Sequence, residues 1–207
     1  MLWEILSDGS LPARRDLAWL AFKRIPALTP DAVFRAPAKA LLDAVGLTGP
    51  YREEKIDRIR ATVGEFKRHR VVLDAPALRA AGLLRALRTL RRLAHLDNQM
   101  RQRALLFSAE FAVLPVDDDM ARVATRLSGE TSEGYVVPAA MNKREAARTR
   151  RLAKRWLRAQ LAADLETYQD AVIYVRHHAQ HTCIAIGPHC GVCPLREACA
   201  FAGSRRS

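Results

Sequence analysis

All four cysteines of this 207-residue chain fall in one stretch, CIAIGPHCGVCPLREAC, from Cys183 to Cys199. Their spacing is Cys-x6-Cys-x2-Cys-x5-Cys, which makes Cys183, Cys190, Cys193 and Cys199 candidate metal ligands. In a reducing compartment clustered thiols point to a metal rather than to disulfides. Zinc ribbons pair two short Cys-x-x-Cys knuckles far apart. Here a single knuckle carries longer arms on each side. That layout suits a short loop wrapped round a cubane, and four thiolates are the ligand set of a [4Fe–4S] cluster. A zinc site is the alternative. Gly187, Pro188 and Gly191 supply the turns that such a loop needs.

A second group with chemical potential is the acidic run of VDDDMAR, Asp117 to Asp119. A fixed carboxylate can stabilise a developing cation or orient an attacking group. The same run also reads as a helix start, where Asp at the cap and in the first turn satisfies free N–H groups and the helix dipole. The two roles are compatible for Asp117. Asp118 and Asp119 are expected to cap or to be solvated, with Arg122 and Arg126 offsetting the crowded negative charge.

The third signal is charge. Lys and Arg number 34 against 22 Asp and Glu, a formal net charge of +12, and the isoelectric point is about 10.3. Six of the basic residues are Lys and 28 are Arg. Arg binds phosphate bidentately and a positive surface attracts polyanions, so nucleic acid is the expected partner. An Arg-rich, Ala- and Leu-rich composition from a GC-rich genome is the alternative explanation of the same numbers. Charged residues interrupt every apolar run, so no membrane span is expected. The start of the chain lacks a secretion signal, and a soluble, cytoplasmic, nucleoid-associated monomer is the expectation.

These groups must be positioned by helices. Strand alternation is nearly absent and helical spacing recurs, so the chain reads as all-α. Leu83, Leu84, Leu87 and Leu90 form an apolar stripe with Arg85, Arg88, Arg91 and Arg92 off it. A helix is expected from near Asn142 to Leu165, with Leu152, Trp156, Leu157 and Leu161 inward. Another, from Thr167 to about Gln180, leads into the cysteine loop. Pro26, Pro30, Pro37, Pro50 and Pro76 cut the first half into short helices.

The cysteine spacing, with the flanking pattern HTCIAIGPHCGVCPLREAC, resembles the iron–sulfur loop of the endonuclease III family of DNA glycosylases without gap or insertion. GLTGPYREEKIDRI resembles the family's Gly-x-Tyr-x-x-Lys-Ala segment. Val116-Asp117-Asp118-Asp119-Met120-Ala121-Arg122-Val123 resembles the segment that carries the family's catalytic Asp. The resemblance covers roughly Leu17 to Phe201 and is strongest from Ala104 onward. It implies a six-helix domain over 1–112, with a degenerate helix–hairpin–helix, and an iron–sulfur helical domain over 113–207, with double-stranded, damaged DNA in a cleft between them. It also implies that Asp117 stabilises the sugar cation formed when the N-glycosidic bond breaks, after the base is flipped out.

The chain departs from that family in three places. Counting back from Asp117, LAHLDNQ stands where the family has Leu-Pro-Gly-Val-Gly-Arg-Lys, so Gln99 occupies the position of the imine-forming Lys. An amide nitrogen is not nucleophilic, and no Lys lies between Lys67 and Lys143. The hairpin glycines, which let backbone N–H groups approach a phosphate, are replaced by His95 and Asp97. The family's Gln that plugs the gap left by the flipped base has no counterpart in LSDGSLPARRD. The expected chemistry is therefore hydrolytic base excision with little or no lyase activity. A DNA-binding protein without activity is the first alternative, and a lyase using a Lys from elsewhere the second. Expected DNA contacts are His95, Arg101, Arg122, Arg148, Arg151 and Lys154. His177, His178 and His181 form a cluster that the cysteines leave without a metal to bind.

Overall fold

Short helices broken by proline and glycine dominate the first half, and longer ones the second. The computed structural model describes residues 2–7, 10, 12–25, 29–49, 51–69, 75–129 and 142–204. Among these residues the regular structure is entirely helical, so the all-α reading holds. Pro26 and Pro50 lie outside the described residues, as do Asp8, Gly9 and Leu11 of the stretch facing the missing plug. No described helix is long and apolar enough to cross a membrane. The chain divides into two compact units, Met1–Ala109 and Glu110–Ser207.

The first unit carries α1 (Leu2–Ser7), α2 (Pro12–Phe22), α3 (Pro30–Arg35), α4 (Ala38–Val45), α5 (Arg52–His69), α6 (Ala75–Ala81), α7 (Leu83–Arg91) and α8 (Asn98–Phe107). Pro30 stands at the start of α3 with Thr29 as its cap, and Pro37 caps α4. Proline there costs nothing, because the first N–H groups of a helix have no intrahelical partner. Ile5, Leu6, Phe22, Val33, Leu41, Val45 and Ile59 are wholly buried in a core that α1 to α5 share. Each such side chain contributes about 1.5–3 kcal/mol by leaving water. A buried ion pair, Arg103 Nε to Glu4 Oε2 at 2.6 Å, ties α8 to α1.

The stripe expected on α7 is corrected in one place. Ala86 and Leu90 are buried, but Leu84 is 70 % exposed. Ala86 and Leu90 are four residues apart on one face, and Leu84 lies well round the helix from it.

The second unit carries α9 (Asp118–Ser128), α10 (Lys143–Gln160), α11 (Leu165–His181) and the short α12 (Ala200–Gly203), with a 3₁₀ turn at Cys190–Val192. α9 is central: it packs against α10, α11 and α12. Asn142 and Glu145 form a reciprocal capping box at the start of α10. That helix ends at Gln160, not near Leu165, because Asp164 instead caps α11 by accepting from Thr167 N at 2.8 Å. α9 ends on Gly129, with φ +69, and a Cβ there would stand 2.8 Å from Cβ of Ala200. Only glycine meets both demands.

Candidate functional site: the cysteine loop and the acidic cap of α9

α11 ends at Thr182, whose N–H donates to His178 O at 2.9 Å, and Cys183 N donates to the same oxygen at 2.7 Å. The chain then folds back: His189 N reaches Thr182 O at 2.9 Å, and Gly187 takes a positive φ of 66° to make the reversal. All four cysteines are free thiols, half-buried. All four line one pocket with Val123, Leu127, Leu195, Phe201 and Ala202, and its empty volume is about 350 Å³, open solvent included. Among the described residues, no three His, Cys, Asp or Glu side chains meet closely enough to hold a single metal ion. His178 Nε2 stands 3.7 Å from Cys193 Sγ. Burial, then the neighbouring His177, pushes the His178 pKa below that of an ordinary histidine, which favours the neutral ring. His177 and His181 lie against each other at 4.3 Å.

Two arginines of α9 hold this loop. Arg126 is buried and donates from Nη1 to Ile184 O at 2.8 Å and to Cys183 Sγ at 3.2 Å, and from Nη2 to Ala185 O at 2.9 Å. Its own carbonyl accepts from Cys199 Sγ at 3.4 Å, and Phe201 lies 4.8 Å from the guanidinium. Its Nε is buried with no acceptor among the described residues. Arg122 donates from Nε to Cys183 O and from Nη2 to Ala179 O, each at 2.9 Å. Burial raises the Cys183 thiol pKa, and Arg126 and Arg122 oppose the rise. Arg122 was expected at DNA, and that is corrected. It is 4 % exposed, and its donors are spent on protein carbonyls and a carboxylate.

The acidic run is fully engaged. Asp117 caps α9, its Oδ1 accepting from Met120 N at 3.0 Å. Its Oδ2 lies 2.9 Å from Nε of Arg176 on α11. That Nε makes no aligned hydrogen bond, so the contact is an ion pair held by charge rather than by direction. Asp118 pairs with Arg150 of α10 at 2.6 Å. Asp119 pairs with Arg122 at 2.8 Å, and Gln180 Nε2 stands 3.5 Å from its other oxygen. Asp118 and Asp119, expected to cap or to be solvated, stand in the first turn of α9. Each is tied to an arginine, and Arg126, expected to offset them, serves the cysteine loop instead. Sequence reasoning missed Arg176 and the pairing of Arg150. Both partners come from other helices, and no local spacing announces them.

In the first unit, LAHLDNQ does form the turn between α7 and α8. Asp97 caps α8, its Oδ1 accepting from Met100 N at 2.8 Å. Glu65 of α5 accepts from Ala94 N at 2.9 Å, and His95 Nε2 is 4.0 Å from the same carboxylate. Arg101 turns inward, its Nη2 donating to Leu93 O at 2.9 Å. Gln99 is half-buried, and its Oε1 has no donor among the described residues. On α10, Arg148 and Arg151 are exposed and Lys154 is half-buried. Burial, then repulsion from Arg158, lowers the Lys154 pKa.

No family model matches this sequence, and no curated protein does. Solved structures match along the whole chain. Endonuclease III in a trapped covalent intermediate with DNA, an estranged-adenine complex, is 16 % identical with a TM-score of 0.70, covering 100 % of this chain and 84 % of that one. Endonuclease III in a non-covalent DNA complex is likewise 16 % identical with a TM-score of 0.70, covering 99 % and 83 %. A thermostable thymine-DNA glycosylase is 12 % identical with a TM-score of 0.69, covering 98 % and 82 %. The fold is that of the all-helical DNA glycosylases.

Proposed function

We propose that this chain is a DNA repair glycosylase that excises a damaged base from duplex DNA by hydrolysis, with little or no lyase activity. The observation that carries the reading is the placement of Asp117: a carboxylate fixed at the N-cap of α9 on a fold similar along its whole length to endonuclease III bound to DNA. In that reading water attacks C1′ of the flipped nucleotide. The N-glycosidic bond breaks with its electron pair leaving on the base, which takes up a proton. Asp117 stabilises the positive charge that develops on the sugar. The helix cap fixes one oxygen of Asp117, and Arg176 holds the other by charge until substrate competes for it. Gln99 makes no imine with the opened sugar.

The four cysteines suit a [4Fe–4S] cluster. They line one pocket with apolar walls, and the buried cation of Arg126 stands beside Cys183 as a counter-charge to an anionic thiolate set. Cys183, Cys190, Cys193 and Cys199 would hold it, and it would supply a structural staple for residues 183–199. Arg148 and Arg151 are the phosphate contacts that this reading keeps. His95 and Arg101, held by Glu65 and Leu93 O, are lesser ones.

The decisive test is a panel of lesion-bearing duplexes assayed for base release. Release by the wild type, a loss of about 10²-fold or more in Asp117→Asn, and no covalent adduct on borohydride reduction are the expected results. A second reading, a DNA-binding protein without activity, is favoured by one observation: the Arg176 ion pair already engages the Asp117 carboxylate. Absence of release from every lesion duplex selects it.

A further inference from the structure

We propose that the main duplex-binding surface of this protein is an arginine row on α10, which takes over the phosphate-anchoring task from the hairpin between α7 and α8. The inference rests on the reading of the chain as a DNA-binding protein and names the surface that binds.

Arg144, Arg148, Arg151, Arg155 and Arg158 are all exposed. At about 100° per residue they fall within about 80° of one another round the helix, and at about 1.5 Å per residue they span about 21 Å. The buried side chains of α10, Ala153 and Leu157, lie on the opposite face. None of the five guanidinium groups has a hydrogen-bonding or ion-pair partner among the described residues. The single carboxylate of α10, Glu145, is engaged in the capping box at its own N-terminus. Neighbours in the row stand three or four residues apart, and like charges at that spacing destabilise a helix. The helix thus carries a repulsion that nothing in the described structure relieves and that a row of phosphates would relieve.

The hairpin has the opposite character. Carboxylates already stand at its backbone donors: Asp97 on Met100 N and Glu65 on Ala94 N. A phosphate approaching there meets two negative charges. A duplex, by contrast, presents one charge per about 1.7 Å of its axis, a density matched to a continuous row rather than to a point. The face lacks the large apolar side chains that would insert into a lipid surface, since those of α10 point inward. Arginine forks favour the bidentate grip on phosphate oxygens.

The test uses the full chain and an undamaged duplex of about 25 base pairs, with anisotropy measured between 50 and 200 mM salt. Three proteins are compared: wild type, Arg148→Gln/Arg151→Gln/Arg155→Gln on α10, and Arg85→Gln/Arg88→Gln/Arg91→Gln on α7. The two variants remove equal charge from exposed positions. The α10 variant is expected to bind about 10-fold or more weakly at 100 mM salt. Its log–log salt slope should be shallower by about 2 to 3, as for the loss of three phosphate contacts. Its melting temperature should be unchanged or slightly raised, because repulsion has been removed. The α7 variant is expected to lose less than half as much on a logarithmic scale. Equal losses from the two variants, an α10 variant that binds as wild type does, or preference for duplex RNA would each overturn the proposal. Base release at saturating protein separates this result from the catalytic reading. The α10 variant should raise KM and leave kcat intact. A wild type that binds duplex through α10 yet releases no base would defeat the glycosylase reading alone.

Discussion

Two short loops join helices in this protein, and they treat their polar groups in opposite ways. The cysteine loop, residues 183–199, keeps four thiols round one pocket, with a buried guanidinium reaching in from α9. The turn at residues 92–97 is closed by neighbouring groups: Asp97 accepts from the Met100 N–H of α8, Glu65 of α5 accepts from the Ala94 N–H within the turn, and Arg101 donates to Leu93 O. The first loop leaves its thiols facing the pocket, while its carbonyls take the Arg126 donors. The second has its polar groups satisfied by neighbouring side chains, because an unpaired polar group removed from water costs about 1–3 kcal/mol. Within one molecule the first loop gathers its thiols round a pocket, and the second spends its polar groups on neighbouring protein groups.

The largest effect that would break this contrast comes from the thiols. Cys193→Ser is expected to abolish metal loading and to open residues 183–199 to proteases, read by iron and sulfide analysis, visible absorbance and limited proteolysis. Anaerobically purified wild type that is colourless and loaded with zinc would remove the iron–sulfur assignment. Next in size is Arg126→Met, which strands Ile184 O and Ala185 O and removes the counter-charge. A loss of about 3 kcal/mol in urea unfolding is expected, with partial recovery in Arg126→Lys. Asp97→Ala should cost only about 1 kcal/mol, the worth of one helix cap, and leave metal content untouched. If Asp97→Ala lowers metal content as Cys193→Ser does, the two loops are not independent. The smallest effect is a pH dependence at Asp164, which caps α11 ahead of the cysteine loop. Hydrogen bonds from Thr167 hold its pKa below the ordinary 3.8. Its contribution is therefore full above that value and is lost as pH falls through the lowered native value. Asp164→Ala should melt below wild type at pH 7, and the gap should close under strong acid.

Much of this was legible in the sequence for a physical reason: helical periodicity and cysteine spacing are local. The thiols of Cys183 to Cys199 lie on one loop, so their spacing alone brings them together, and Asp117 before an apolar-periodic run announces a cap. The partners of Asp117 and Asp118 were not legible, because Arg176 and Arg150 arrive from other helices with no pattern to mark them. Arg122 and Arg126 misled for a related reason. An arginine on a short helix reads as surface, yet α9 is enclosed by three other helices and has little free face for a charge. Their one signal was position: they sit one turn apart, beside Val123 and Leu127. Leu84 misled in the other direction, since a run of leucines exceeds the width of the buried face of α7.

α9 has its carboxylate at one tip and, at the other, a glycine wedged under Ala200 with no space to spare. Eleven residues separate helix from coil at each end, a strut of about 16 Å. A hydrogen-bonded strut of that length barely stretches, so the Asp117 cap and the wall that Val123, Arg126 and Leu127 give the sulfur-lined pocket belong to one stiff element.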